Sequence, residues 1–233
     1  MLRYQTARHA VSLGLRRGCL QEMLSISEIF TSIQGEGCHA GRPATIVRLA
    51  GCALSCRWCD TPSARDGGDP RTLDSVLRTV RASGLSTVLV TGGEPLLQTA
   101  TPALCRRLAD LGHRVLLETS GAYSIASIDP RVHRVVDLKC PDSGECARND
   151  WENIALLGER DELKLVLASR DDYLWARRQI EQRRLGERCP VVLGVVREQL
   201  KATDLARWII NDRLDVRLQL QLHKILWPGR AGV

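Results

Sequence analysis

Aromatic side chains are scarce in this sequence: one Phe, three Tyr and five Trp make up 4% of its 233 residues. That scarcity removes most of the stacking platforms on which single-stranded nucleic acid is held. No unbroken apolar stretch approaches the roughly 20 residues needed to cross a bilayer, so no membrane span is expected. The first 22 residues contain no continuous apolar h-region, Ala10 to Leu15 being short and mixed, which argues against a secretory leader. The nine Cys are an odd number, which with no leader argues against a disulfide framework and for a reducing, cytoplasmic setting. Internal repeats and composition breaks after residue 23 are also lacking.

What is present fits a globular protein with a sizeable core: 44% apolar and 26% charged residues. Half of the net charge of +6 falls in residues 1–22, where Arg3, Arg8, Arg16 and Arg17 face Glu22 alone. That segment reads as a disordered or overcalled extension, and 23–233 as one catalytic domain. The basic run from Arg177 to Arg184 is diluted by Glu181 and reads as a solvated helix face, so no nucleic-acid partner is expected.

Apolar periodicity arranges the chain as alternating strands and helices. Ala44 to Leu49, between Gly41 and Gly51, reads as a strand; Leu73, Val76, Leu77 and Val80 recur at helical spacing before Gly84. Thr87 to Val90 is a short strand running into Gly92-Gly93. Thr101-Pro102 opens a helix as N-cap and first residue, with Leu104, Leu108 and Leu111 as its stripe. Further strands are expected at 115–118, 135–139, 163–167, 190–196 and 216–222, the last with a helix-free end. Helices are expected near 150–157 and over 171–185 and 202–210. This alternation implies parallel βαβ units and an α/β fold. In such folds ligands gather on the loops at the carboxyl ends of the strands. Cys52, Cys56 and Cys59, Gly92 to Pro95, Glu118 to Gly121 and Lys139 to Glu145 all fall on those loops.

Three thiolates spaced C-x3-C-x2-C can wrap one centre. A structural zinc wants a fourth Cys or His, usually from a second C-x-x-C, and none follows; an iron–sulfur cube on three thiolates leaves one iron open. A zinc-stabilised, RNA-associated protein stays open as an alternative. Cys52, Cys56 and Cys59, with Trp58 before the last, resemble the cluster loop of the radical S-adenosylmethionine (SAM) superfamily, and Gly92-Gly93-Glu94-Pro95 resembles its GGEP element. The resemblance implies a partial parallel β/α barrel carrying a [4Fe–4S] cluster and SAM, with Trp58, Cys59, Asp60, Gly92, Gly93, Glu94 and Lys139 around the cofactor.

Finer likeness lies in the flanks. Glu28 to Gly37, Gly41-Arg42-Pro43, Val47 to Cys52, Cys59-Asp60-Thr61, Leu117 to Gly121, Lys139 and Leu218 to Lys224 resemble the 7-carboxy-7-deazaguanine synthase family, over about residues 28–228. What that implies is a ring contraction of 6-carboxy-5,6,7,8-tetrahydropterin with loss of ammonia, in queuosine biosynthesis, driven by a SAM-derived radical with no catalytic side chain assigned. It also implies Mg2+ on Thr61, a homodimer, a flavodoxin- or ferredoxin-type electron donor, and substrate contacts from Ile33, Gln34, Gly35, Thr91 and His223. The residues themselves suit a pterin-like ring: Glu36 can accept from two adjacent N–H groups, and the fork of Arg48 matches a carboxylate. The plainer roles are a turn residue for Glu36, a structural salt bridge for Arg48 and a packed imidazole for His223. Another radical SAM enzyme, such as a glycyl-radical activase, would keep the Cys loop and GGEP without needing Gln34 to Gly37 or Arg48.

Overall fold

The computed structural model describes residues 23–230; the extension expected over 1–22 lies outside the described residues. Nine strands form one sheet in the order β3-β1-β2-β4-β5-β6-β7-β8-β9. They are β1 (Met23–Ile33), β2 (Pro43–Leu49), β3 (Asp69–Thr72), β4 (Thr87–Gly92), β5 (Arg114–Thr119), β6 (His133–Asp137), β7 (Glu162–Leu167), β8 (Val191–Val195) and β9 (Arg217–Leu218). From β2 to β9 every neighbouring pair is parallel, whereas β1 pairs antiparallel with both β2 and β3. The sheet does not close on itself, which makes it a partial barrel.

The helices α1 (Leu73–Ala82), α2 (Thr101–Asp110), α3 (Asn153–Leu156), α4 (Arg170–Arg183), α5 (Ala202–Asn211) and α6 (Leu222–Leu226) complete the chain. Helix α1 starts where Thr72 accepts from the Ser75 amide, and it buries Leu73, Val76, Leu77 and Val80. Because strand side chains alternate faces, one face of the sheet is mainly apolar, with Thr45, bonded to Ser83 at 2.6 Å, among its polar exceptions. Val47, Leu49, Val88, Val90, Val115 and Leu117 pack against α1 and α2. Leu163, Leu165, Leu167, Val191 and Leu193 pack under α4 and α5. The other face carries a small apolar cluster, Ile46, Leu89 and Leu116, with Phe30 against it. Beyond that group the same face presents Arg48, Thr91, Glu118, Asp137 and Lys164, and this polar interior holds the site.

Four local expectations are revised. Strands β1 and β3 extend one edge of the sheet in antiparallel pairing, which the βαβ pattern does not contain. The N-cap of α2 is Ala100, while the Thr101 hydroxyl donates to Pro95 O at 2.6 Å. Leu111 is 46% exposed, and Cys105 takes its place in the stripe. The final strand keeps only Arg217 and Leu218, and the chain then turns helical at Leu222, because Gln219 and Gln221 are drawn to the β1–β2 loop.

The loop that leaves β5 is fixed by Asn153, which is fully buried. Its Oδ1 accepts from the Ile125 amide at 3.0 Å and its Nδ2 donates to Tyr123 O at 2.9 Å. Truncation would orphan buried backbone groups, so Asn153→Ala should lower unfolding free energy by about 3 kcal/mol, read as a shifted denaturant midpoint at unchanged slope.

Candidate active site

The cysteine loop leaves the carboxyl end of β2 as the sequence pattern implies. Cys52 and Cys56 are half-buried and Cys59 is exposed, all as free thiols. Burial is the largest influence on Cys52 and Cys56 and raises both thiols, opposed at Cys52 first by a hydrogen bond from the Leu54 backbone and at both by the Lys139 ammonium. Both also feel the charge of Cys59. Among the described residues, no three Cys, His, Asp or Glu side chains converge on a single-ion position. Three thiols spaced along one loop can each meet a different iron of a cubane, leaving the fourth iron open.

The Gly92 to Pro95 loop rests directly on the base of that loop. Gly93 N donates to Leu49 O at 3.0 Å and Glu94 N to Gly51 O at 2.8 Å. A Cβ on Gly92, whose φ is +147°, would run into the Leu49 backbone, and one on Gly93 into Gly51 O and Ala64 O. Glycine is therefore demanded here by backbone against backbone, whatever the cofactor asks. Glu94 is fully buried with both carboxylate oxygens occupied. It accepts from Leu96 N at 2.8 Å, the Thr119 hydroxyl at 2.8 Å and Ser120 N at 2.7 Å, and so braces the end of β5.

Below these loops lies a chain of buried charges. Lys164 Nζ meets Glu36 Oε2 at 2.7 Å and Asp137 Oδ1 at 3.5 Å, and Lys139 Nζ meets Asp137 Oδ2 at 2.8 Å. Glu36 also accepts from Gln221 Nε2 at 2.6 Å and Gln219 Nε2 at 3.1 Å. Burial alone would raise the Glu36 carboxyl; the Lys164 charge and these donors outweigh it and hold the carboxyl below its ordinary range. With three internal donors, Glu36 is not the free acceptor its place between two glycines suggests. Glu118 is different. It has one donor, Gln34 Nε2 at 3.1 Å, and its carboxyl is pushed up by burial, against the Lys164 charge and with Glu36 adding to the rise. Asp137 Oδ1 is buried without a hydrogen-bond partner.

Arg48 faces this interior from β2, in register with Thr91 on β4. Its Nε pairs with Glu28 Oε1 at 2.6 Å and its guanidinium lies 5.6 Å from the Phe30 ring centroid, so the salt bridge exists and leaves the two terminal nitrogens outside it. Gln34 is buried and Ile33 half-buried at the end of β1. A Cβ on Gly35 would strike the imidazole of His223, which α6 presents half-buried, its pKa lowered chiefly by burial. Leu222 N donates to Gly35 O at 3.0 Å. Thr61 donates its hydroxyl to Asp60 Oδ1 at 3.1 Å, an all-oxygen pair at the lip of the cysteine loop that suits a hard cation. Trp58 is half-buried beside them. Sequence reasoning assigned no role to Lys164, Asp137, Glu118, Gln219 or Gln221. Their signal is a period of two: Glu162 and Lys164 alternate with Leu163 and Leu165 in a strand that otherwise reads as buried on both faces.

A three-cysteine loop and a glycine loop at the open end of a partial β/α barrel define a radical SAM enzyme, and the radical SAM superfamily model matches residues 46–135. Enzymes of this class work with a [4Fe–4S] cluster and SAM. Within that class the chain belongs to the 7-carboxy-7-deazaguanine synthase family. It is 47% identical to the 7-carboxy-7-deazaguanine synthase of Chlorobaculum tepidum, over 90% of this chain and 97% of that one. With the Koribacter versatilis enzyme of the same name it shares 38% identity, over 90% of this chain and all of that one. The crystal structure of QueE from Escherichia coli superposes with a TM-score of 0.69 over 84% of this chain and 92% of that one at 22% identity, a likeness of fold.

The raised Glu118 pKa makes a pH test. A carboxyl raised above its unfolded value contributes its full stability below the unfolded pKa and loses it as pH rises through the folded one. Above that folded pKa the wild type carries a destabilising buried charge. Glu118→Gln keeps the Gln34 contact and removes that charge, so it should be at least as stable as wild type at pH 8. The advantage should shrink toward pH 4 in denaturant midpoints taken across the range.

Proposed function

We propose that this chain converts 6-carboxy-5,6,7,8-tetrahydropterin to 7-carboxy-7-deazaguanine with loss of ammonia, a step of queuosine biosynthesis, and that the substrate lies on the polar interior face. The observation that carries the reading is the stacking of the cysteine loop and the Gly92-Gly93 loop directly above a charged, incompletely satisfied interior. When bound, the cluster and SAM supply the carbon-centred oxidant that takes hydrogen from the substrate ring. Cys52, Cys56 and Cys59 hold the cluster, while Trp58, Asp60, Gly92, Gly93 and Lys139 surround SAM, with Glu94 acting as the brace beneath it.

The chain's own residues bind and orient. The pterin amidine edge offers adjacent N–H donors, and Glu118, already turned by Gln34, is the carboxylate with capacity to take them. Asp137 Oδ1 is a second open acceptor. Arg48 offers its free terminal nitrogens to the substrate carboxylate, and Thr91 stands beside it. Glu36 is assigned to holding Lys164 and the C-terminal segment. Ile33, Gly35 and His223 bound the same interior, and Thr61 supplies one oxygen to Mg2+.

The reading takes residues 23–233 as one catalytic domain, a homodimer, and a flavodoxin- or ferredoxin-type electron donor, with no nucleic-acid or membrane partner. A cytoplasmic setting suits the free thiols. Among the described residues no helix is long and apolar enough to cross a membrane.

Anaerobic turnover of the carboxytetrahydropterin with SAM, reductant and Mg2+, scored for the deazaguanine, tests the reading; no product from cluster-loaded protein would end it. Glu118→Gln should lower kcat/KM by about 100-fold, since a site built to pair N–H groups loses its charged acceptor. A variant as active as wild type contradicts the assignment. Cys56→Ala should retain neither iron nor turnover.

A further inference from the structure

The cysteine loop does little to hold itself. Among the described residues its one internal backbone hydrogen bond from Cys52 to Cys59 joins Cys59 N to Cys56 O at 3.3 Å. The amides on either side of Cys56 are instead taken by a segment about ninety residues further on. Ser55 N donates to Glu145 Oε1 at 2.7 Å, and Arg57 N donates to Ser143 O at 3.1 Å.

That segment is itself rigid. The Ser143 hydroxyl donates to Cys140 O at 2.5 Å and accepts from Glu145 N at 3.1 Å. Asn149 bonds both backbone groups of Lys139, accepting from its N–H at 2.8 Å and donating to its carbonyl at 3.0 Å. The platform is thus rooted at the end of β6, and it brings Lys139 and Glu145 to the same thiol. The Cys56 side chain feels both charges, with burial the larger influence.

We infer that Glu145 is a positioning residue for the family reaction: its carboxylate straps the cysteine loop through the Ser55 amide and so sets where Cys56 stands, an inference that rests on reading that loop as the cluster site. A charged acceptor on an amide is worth more than a neutral one, and here it bridges two loops that share no strand. Arg65 adds a tie to the Ser55 hydroxyl at 2.7 Å, which secures the side chain and leaves the backbone to Glu145. Without the strap, the loop keeps its three thiols and loses the fixed spacing between Cys56 and its two partners.

The test begins with the full-length apoprotein, so it does not depend on cluster loading. Trypsin cuts after Arg57, which is exposed inside the strapped loop. Glu145→Ala should be cut there about tenfold faster than wild type with other sites unchanged, and Glu145→Gln, which keeps an acceptor oxygen, should stay within about twofold. After reconstitution, Glu145→Ala should surrender iron to a chelator about tenfold faster, with Glu145→Gln again close to wild type. Unchanged cutting at Arg57, acceleration at every site alike, or no rescue by Glu145→Gln would each overturn the strap. A wild type that takes up no iron and sulfide would count against the proposed function, while the apoprotein digestion still decides the role of Glu145.

Discussion

An ammonium cannot stand inside a sheet without anions around it, and the interior of this protein is arranged by the need to supply them to Lys164. Asp137 comes from the neighbouring strand. Glu36 has to be carried in by the β1–β2 turn, and that turn is held in place by the C-terminal segment through Gln219, Gln221 and Leu222. Three parts of the chain far apart in sequence are therefore tied to one charge. Three carboxyls, Glu36, Glu118 and Asp137, thus act on Lys164, and Lys139 stands as a second ammonium against Asp137. Glu118 is the carboxyl that neither ammonium meets directly, and its one donor is Gln34.

The same division of labour recurs at the cofactor end. Gly92 and Gly93 are forced by the close approach of two backbones, and Glu94 divides its carboxylate between Leu96 N of its own loop, β5 and the turn after β5. A motif read as a ligand contact is in this chain first a joint between strands β2, β4 and β5. The joint keeps the cysteine loop and the glycine loop in register, so a cofactor lying across both meets one rigid surface.

Much of this was legible in the sequence, and the rest was hidden for physical reasons. The parallel strands and long helices follow from apolar periodicity. The Cys loop and the glycine loop are local, so spacing alone exposes them. Strand β1 was missed because an antiparallel partner of β2 has no place in a βαβ count, and the last strand was overextended because Leu218 to Leu222 alternates like a strand. That alternation is real, but past Gln219, whose amide still donates to Leu193 O of β8 at 2.9 Å, the chain leaves the sheet, and the Gln219 and Gln221 side chains reach Glu36. Arg48 carries its salt bridge and still faces the site. Glu36 looked available because a carboxylate between glycines shows nothing of the lysine that will meet it from 128 residues away. Conversely, the raised Glu118 carboxyl depends on charges from three other elements, which no local motif encodes.

A cubane held by the three thiolates, with one iron left open to SAM, is the centre on which the proposed chemistry turns. Mössbauer spectroscopy of anaerobically reconstituted protein tests this most directly. The prediction is a cubane's complement of iron and sulfide, with one iron distinct from the rest and altered when SAM is added. A protein that binds no iron, or a cluster whose irons are indifferent to SAM, would contradict it.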